Sequence, residues 1–321
     1  MLLTSPFLYA LKEAYPEAQI DCYIPKGSYP MLEGHPALNK AFFKEDGFTV
    51  FFALRKEKYD LAFNLTEGDR GALACLFSRA KVRVGVDPGK SGFLFKRKIF
   101  SHLVEHCPNP KHTIEKNLDA LRVLGFSPTP ECRALTLAIP EEVEEKIHDE
   151  YGTGYILFHP VSRWLFKSLP SDTNAKIVNA LVAEGHRVVL SSGPGVEEMR
   201  YIEALQSQLK YPVESAAGKT TLKELGALIR ASRLVVCPDS VPFHMANALQ
   251  KPVVTYFGPT SEKNWGPWRN PHATVITQEL PCRPCFRAGC ANTKISDCLV
   301  TLCPERVLNS IRASLAVETT V

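Results

Sequence analysis

One segment of the sequence combines a backbone geometry suited to anions with side chains that could contact an anion. Residues 237–244 (CPDSVPFH) follow an apolar run that predicts a strand, and they open a predicted helix. Asp239 or Ser240 can cap this helix, and the first-turn amides have no partner within it. These amides and the helix dipole favour a bound phosphate, with His244 one turn further on. The alternative is an ordinary capped helix with a hydrogen-bonded histidine.

Two further loops carry groups that suit a nucleoside diphosphate. Ser162, Arg163 and Lys167 follow the predicted strand 155–159, and the two cations fit a pyrophosphate; a solvated surface loop is the alternative. Glu197 follows a glycine-containing turn after the predicted strand 187–191, where a carboxylate can bind ribose hydroxyls or simply complement a helix dipole. The sequence has no G-x-x-x-x-G-K-[ST] motif, which excludes a P-loop NTPase.

A cluster of cysteines lies towards the end of the chain. Five of the ten cysteines fall between residues 282 and 303. Cys282, Cys285, Cys290 and Cys298 leave room for a tetrahedral thiolate metal site, and Cys303 is an alternate ligand. The spacing after the first pair is irregular, so a set of reduced structural thiols is the alternative.

The remaining pattern alternates strands with helices, and this arrangement predicts right-handed βαβ units and parallel sheets. The carboxyl ends of parallel strands meet at one edge, so the three loops above predict one nucleotide-diphosphate site in the second half. The predicted helices are 7–15, 71–78, 111–124, 175–184, 196–209, 221–231 and 244–249; the predicted strands are 18–24, 59–65, 82–86, 155–159, 187–191, 233–237 and 252–257.

Length and composition agree with a two-domain globular protein. The chain has 321 residues, 45% hydrophobic and 22% charged, with a formal net charge of +4. This balance excludes a disordered chain and gives no reason to expect a nucleic-acid partner. No apolar run reaches the length of a membrane span, and the first residues lack a signal-peptide pattern, so we expect a cytoplasmic protein.

Two stretches resemble the signature of glycosyltransferase family 9, the ADP-heptose:lipopolysaccharide heptosyltransferases: residues 239–246 (DSVPFHMA) and 252–260 (PVVTYFGPT). Residues 64–71 (NLTEGDRG), 111–113 (KHT), 162–167 (SRWLFK) and the cysteine cluster resemble the heptosyltransferase III branch. The likeness runs along essentially the whole chain. It implies an α/β fold of the GT-B type, with two Rossmann-like doubly wound domains facing a central cleft.

The resemblance also implies a domain plan. Residues 1–140 form the acceptor-binding domain, 141–154 the linker and 155–303 the ADP-sugar-binding domain. Residues 304–321 form a C-terminal helix and tail that pack back on the N-terminal domain.

The activity implied by the resemblance is an inverting, metal-independent transfer of L-glycero-D-manno-heptose from ADP-heptose to the lipopolysaccharide inner core, without a cofactor. The alternatives are another nucleotide sugar or a homologue that binds without turnover. The reaction is expected at the cytoplasmic face of the inner membrane, with peripheral contact through residues 93–98 (FLFKRK), including Phe93, Phe95, Lys96, Arg97 and Lys98. A solvated loop is the alternative for that run.

Residue roles carried over from the family concern mainly the donor. Lys167 and Ser162 are expected to hold the phosphates and the sugar side, and Lys167 to stabilise the leaving group. Glu197 lies near the ribose, Asp239 contacts the heptose, and the adenine rests near Thr220 to Leu222. The amides of Ser240, Val241 and Pro242, together with His244, are expected to face the diphosphate.

On the acceptor side the family resemblance points to Asp69, Arg70 and Lys111. The family's aspartate, its expected general base, comes before the residues that match positions 1–6. The resemblance therefore implies that this base lies upstream of Met1.

Overall fold

The structure, a computed structural model, describes residues 1–89, 91–107 and 109–317. It divides into two compact units, Met1–Ala138 and Ile139–Val321. Both units are α/β with parallel strands, as the alternating pattern predicts. In the described part of the chain, no helix combines the length and the apolar character needed to cross a membrane.

The first unit holds its parallel strands in two separate sheets, of two and three strands. Helix α1 (Ser5–Ala14) has a proline in its first turn, a position where the missing N–H costs nothing. Most of α1 is buried, and the ring of Phe7 meets that of Phe63 edge-on at 5.0 Å. The elements are α1 (Ser5–Ala14), β1 (Asp21–Ile24), β2 (Lys40–Phe43), α2 (Thr49–Lys56), β3 (Leu61–Asn64), α3 (Asp69–Ser78), β4 (Val82–Val86), β5 (His102–Val104) and α4 (Thr113–Arg122).

The second unit is built on one sheet of six parallel strands, in the order β11-β10-β9-β6-β7-β8. Its central strands are mostly apolar and fully buried, as expected when helices cover both faces of a parallel sheet. The elements are α5 (Glu141–Tyr151), β6 (Ile156–Phe158), α6 (Ser171–Ala183), β7 (Val188–Leu190), α7 (Val196–Gln206), β8 (Glu214–Ser215), α8 (Leu222–Ala231), β9 (Leu234–Pro238), α9 (Val241–Ala248), β10 (Val253–Phe257), α10 (Glu262–Trp265), β11 (Ala273–Thr277), α11 (Asp297–Val300) and α12 (Pro304–Val317).

The segment 141–154, expected as a linker, instead contains helix α5 of the second unit. Three glutamates lie in its first turn, where acidic side chains complement the helix dipole. Ile147 and Tyr151 are buried, and the helix packs on α8. The acidic run is therefore the exposed side of an amphipathic helix.

The predicted C-terminal segment 304–321 contains helix α12, which spans Pro304–Val317. Residues 318–321 of the segment lie outside the described part. It packs on α6 and β10. Four of its side chains are buried in the same apolar core as the strands of the second unit: Val307, Leu308, Ile311 and Leu315. The helix is thus an integral part of the second unit.

Candidate functional site

The strand order of the second unit creates a topological switch point between β6 and β9. From β6 the chain proceeds through β7 and β8 towards one edge, and β9, β10 and β11 then extend the sheet from the other side of β6. The loops that leave neighbouring strands β6 and β9 therefore diverge and open a crevice. In doubly wound sheets, ligands bind at the carboxyl ends of the strands in such a crevice.

Lys167 and Asp239 meet at this switch point. Lys167 follows β6 and Asp239 follows β9, and Lys167 Nζ lies 2.8 Å from Asp239 Oδ2. The carboxylate is almost fully buried, with 4% of the side chain exposed, whereas 19% of the lysine side chain is exposed. Thr260, after β10, donates its hydroxyl to the same Oδ2 at 2.7 Å. The partly exposed ammonium still has donor capacity directed away from the carboxylate.

The first turn of α9 supplies backbone donors beside this pair. Ser240 is its N-cap in extended backbone, and Val241 begins the helix with a side chain that is 47% exposed. Pro242 has no N–H, which corrects the expectation that its amide faces a phosphate. The first-turn donors are therefore the amides of Val241 and Phe243. The His244 ring is half-buried between Phe243 and Trp265, with ring-centroid distances of 5.1 Å and 6.4 Å.

Ser162 shapes the loop that leads to Lys167. Its hydroxyl accepts the Trp164 N–H at 3.2 Å, and its own N–H donates to Ser168 Oγ at 2.9 Å. The side chain is buried. These contacts fold the loop back on itself and place Lys167 at the end of a short 3-10 turn.

Glu197 is expected near a ribose, but its neighbour Glu198 lies closer to the glycine-containing loop after β7. Glu197 is exposed and pairs with Arg200 at 2.8 Å along α7. Glu198 instead places its carboxylate against the loop glycines: a Cβ on Gly193 would lie 2.7 Å from Glu198 Oε1. Thr220 and Leu222 are half-buried at the start of α8. Thr221 and Glu224 cap the N-terminus of this helix with a capping box.

A buried histidine behind the site escaped the sequence analysis. His159 directly follows β6, and its Nδ1 lies 2.9 Å from Ser191 Oγ, which directly follows β7. Complete burial lowers the pKa of His159 to about 4, so the ring is neutral at neutral pH. The sequence does contain a signal for this contact. One predicted apolar strand ends in a histidine and the next one ends in a serine, and parallel strands bring such ends together.

In the first unit, Asp69 and Arg70 lie at the start of α3, just after β3. The Asp69 carboxylate lies 2.8 Å from Nζ of Lys96, whose side chain is buried. Arg70 donates to the carbonyl oxygens of Lys44 and Gly47. Lys111, before α4, holds Asp119 at 2.6 Å. Asp69 and Arg70 are thus sequence neighbours with separate partners, and the amine of Lys111 is paired with Asp119 of α4.

The predicted membrane-contact run 93–98 divides into two parts. Phe93, Leu94 and Phe95 are exposed, at 38%, 78% and 62%, and Arg97 and Lys98 lie beside them. Lys96 points inward to Asp69 and to the Glu67 carbonyl oxygen, because an unpaired buried ammonium would be costly. The expectation that Lys96 contacts a membrane is therefore wrong.

The predicted thiolate metal site is not formed. Across residues 1–89, 91–107 and 109–317, no three His, Cys, Asp or Glu side chains are placed to hold a metal ion. The reason is local: α11 inserts Cys298 into the apolar core, whereas Cys282 and Cys290 are exposed. Burial raises the pKa of Cys298 to about 11.

Two α/β units of parallel strands, with a polar site at the strand ends of the second, define the GT-B class of glycosyltransferase folds. The profile of glycosyltransferase family 9 (heptosyltransferase) matches residues 48–296. The chain belongs to this family and is a glycosyltransferase.

Individual relatives agree with this assignment. The chain is 33% identical to lipopolysaccharide heptosyltransferase 3 of Escherichia coli over 287 residues, which cover 84% of this chain and 83% of the relative. The protein of the same name from strain K12 is 30% identical over 285 residues, covering 84% and 82%.

Solved structures show the same fold. E. coli ADP-heptose lps heptosyltransferase II superposes with a TM-score of 0.81 at 24% identity, covering 99% of this chain and 96% of that one. E. coli heptosyltransferase WaaC with ADP gives a TM-score of 0.72 at 18% identity, covering 98% and 95%. The GT-B fold expected from the sequence is confirmed.

Proposed function

We propose that this glycosyltransferase moves L-glycero-D-manno-heptose from ADP-heptose to the inner core of lipopolysaccharide, as a heptosyltransferase III-like enzyme. The observation that carries the proposal is the Lys167–Asp239–Thr260 cluster at the switch point of the second unit. It combines a partly exposed cation with a buried carboxylate beside a helix N-terminus, which suits a sugar diphosphate. The names of the E. coli relatives support heptose as the transferred sugar and lipopolysaccharide as the acceptor.

The donor is oriented by its charges. The diphosphate lies against the Val241 and Phe243 amides, with Lys167 on its sugar side and His244 nearby. The buried Asp239 carboxylate accepts from hydroxyls of the heptose. Ser162 shapes the loop, Glu197 or Glu198 approaches the ribose, and the adenine lies near Thr220 to Leu222.

The chemical step is a direct displacement at the anomeric carbon. A hydroxyl oxygen of the acceptor forms the new bond and gives its proton to a base, while the bond from the anomeric carbon to the β-phosphate oxygen breaks. Both bonding electrons leave with ADP, and the anomeric configuration inverts. Lys167 and the α9 amides stabilise the charge that develops on ADP, so the step needs no metal ion.

The acceptor binds the first unit. Asp69 and Arg70 lie together at the carboxyl end of β3 and offer an acceptor of sugar hydroxyls and a donor to phosphate. Lys111 contributes positive charge near the start of α4. We place the reaction at the cytoplasmic face of the inner membrane, with peripheral contact through the exposed Phe93–Phe95 tip and its neighbours Arg97 and Lys98.

The test is ADP release from ADP-heptose with a heptose-containing core acceptor. We expect ADP to appear only when both substrates are present, and mass spectrometry to show one added heptose. ADP-glucose and UDP-glucose serve as alternative donors. Faster turnover of either would contradict the choice of donor, and donor binding without turnover on several core acceptors would contradict the choice of reaction.

A further inference from the structure

An arginine outside the predicted site is bonded to the turn that completes it. Arg283 has only 7% of its side chain exposed. Its Nε donates to the Gly258 carbonyl oxygen at 2.6 Å, and its Nη1 donates to that of Gln278 at 3.2 Å. Nη2 lies 3.5 Å from the Thr260 carbonyl oxygen and 3.1 Å from Glu262 Oε2. One guanidinium therefore holds the turn 258–262 at several points.

That turn carries the third member of the site cluster. Thr260 donates its hydroxyl to Asp239 Oδ2, the oxygen that also receives Lys167. A continuous series of contacts thus runs from Arg283 to the Thr260 carbonyl oxygen, and from the Thr260 hydroxyl to Asp239 and Lys167. A shift of the turn would move the Thr260 hydroxyl and leave the buried carboxylate with one partner fewer.

The segment 283–296, which we name the bracing loop, also reaches the other side of the site. The N–H groups of Cys285 and Phe286 donate to the Pro259 carbonyl oxygen at 3.1 Å and 2.9 Å. Ser296 Oγ donates to the carbonyl oxygen of Phe166, the residue before Lys167, at 2.6 Å. The bracing loop therefore joins the turn after β10 to the loop after β6.

We infer that Arg283 is a positioning residue for diphosphate binding, and that the bracing loop fixes the geometry of the Lys167–Asp239 pair. A buried guanidinium is expensive to desolvate, so the concentration of three of its four contacts on one turn indicates that the placement of this turn matters. Arg283 acts through Thr260 and does not touch the ligand. The inference rests on the proposed function, because it assigns the phosphates to Lys167.

The experiment compares ADP and AMP as ligands in calorimetric titrations of the full chain. In Arg283→Met the Lys167 ammonium loses its fixed position, and we expect ADP to bind about tenfold more weakly, a typical effect of removing an outer partner of a site. AMP lacks the second phosphate, so its Kd should change less than about twofold. Arg283→Lys keeps the charge but not the planar fork, and should restore part of the loss.

A matched control removes another arginine of the same unit. Arg187 precedes β7 at the opposite end of the sheet and pairs with Glu214 at 2.7 Å. Arg187→Met should leave both dissociation constants unchanged. Equal weakening of ADP and AMP in Arg283→Met, or no change in either, would overturn the inference.

A second variant keeps the inference open to refutation if Arg283→Met does not fold. Thr260→Val removes only the hydroxyl that links the turn to Asp239, and should show the same selective loss of ADP binding. Both changes interrupt one series of contacts, so the double variant should lose little more than either single one. If the double variant lost ADP affinity by the product of the two single losses, Arg283 would not act through Thr260. If the unchanged protein does not bind ADP, the proposed function falls first and the inference with it.

Discussion

At the scale of single residues, the site depends on one buried carboxylate, that of Asp239. Its partners make the burial of this charge tolerable. Asp239 is paired with Lys167 and Thr260, both from loops after other strands. Burial strengthens these electrostatic contacts and makes their loss costly. Substitutions here should therefore change stability and activity together, in proportions that differ from residue to residue.

Replacing Lys167 should reduce turnover more than donor binding. In Lys167→Met the leaving diphosphate loses its cation, and we expect kcat to fall by about 10²–10³. Steady-state kinetics with ADP-heptose measure this fall, and Lys167→Arg, which keeps the charge, is the matched control. A kcat within about threefold of the unchanged protein would show that Lys167 does not stabilise the leaving group.

His159 should make the second unit sensitive to acid. Burial lowers the pKa of His159 from about 6.5 in the unfolded chain to about 4 in the folded chain. Between these two pH values the unfolded chain binds a proton at this histidine and the folded chain does not. The free energy of unfolding should therefore decrease as pH falls through this window, by up to about 3 kcal/mol.

Urea unfolding at pH 7, 5.5 and 4.5 measures this dependence. His159→Asn cannot titrate, and its amide can still meet Ser191, so its stability should fall less steeply over the same window. Parallel slopes for the two proteins would show that His159 does not cause the acid sensitivity.

At the scale of elements, the loops are held by caps and turns within their own unit. Helix α8 begins with a reciprocal pair in which Thr221 and Glu224 bind each other's backbone N–H groups. This box fixes the loop after β8, where we propose that the adenine rests. The element that we propose to bind the adenine is thus stabilised by residues that need no ligand.

Removing this cap should have a modest and local cost. Thr221→Ala leaves the Glu224 N–H without its acceptor, and we expect a loss of about 1 kcal/mol in the free energy of unfolding. Thr221→Ser retains the hydroxyl and should remain close to the unchanged protein. Chemical denaturation measures both, and an equal loss in the two variants would mean that the hydroxyl bond does not stabilise the helix.

At the scale of the whole molecule, the tip Phe93–Phe95 exposes three consecutive large apolar side chains in the first unit, and Arg97 and Lys98 lie beside it. We expect the protein to sediment with vesicles containing anionic lipids, and to do so less at high salt. Changing Phe93, Leu94 and Phe95 together to serine should abolish this binding, while activity on a deacylated acceptor persists.

A pair of exposed aromatic residues provides the control for that experiment. Phe48 and Phe52 are 79% and 64% exposed at the start of α2, where acidic Glu45 and Asp46 offset the nearby basic side chains. Changing both to serine should leave vesicle binding unchanged. If this pair proves as important as the Phe93–Phe95 tip, the membrane contact lies elsewhere on the unit.

The sequence predicts those parts of the molecule in which local spacing determines geometry. Lys167 and Asp239 follow apolar strands, and parallel strands bring their carboxyl-end loops to one edge. The contact between Arg283 and Thr260 could not be inferred, because it depends on where a distant loop returns to the sheet. Helix α5 was overlooked although Val143, Ile147 and Tyr151 repeat every four residues, because its glutamates resemble a solvated linker.

Helix α12 has a consequence for how the protein is made. Four of its side chains, Val307, Leu308, Ile311 and Leu315, belong to the same apolar core as the strands of the second unit. During translation, the nascent second unit therefore has an incomplete core until Leu315 has left the ribosome, by which time the first unit has been free to fold. Until that moment the unfilled apolar surface is open to chaperones and to aggregation. A ribosome stalled before this helix emerges should carry a second unit that proteases still cleave.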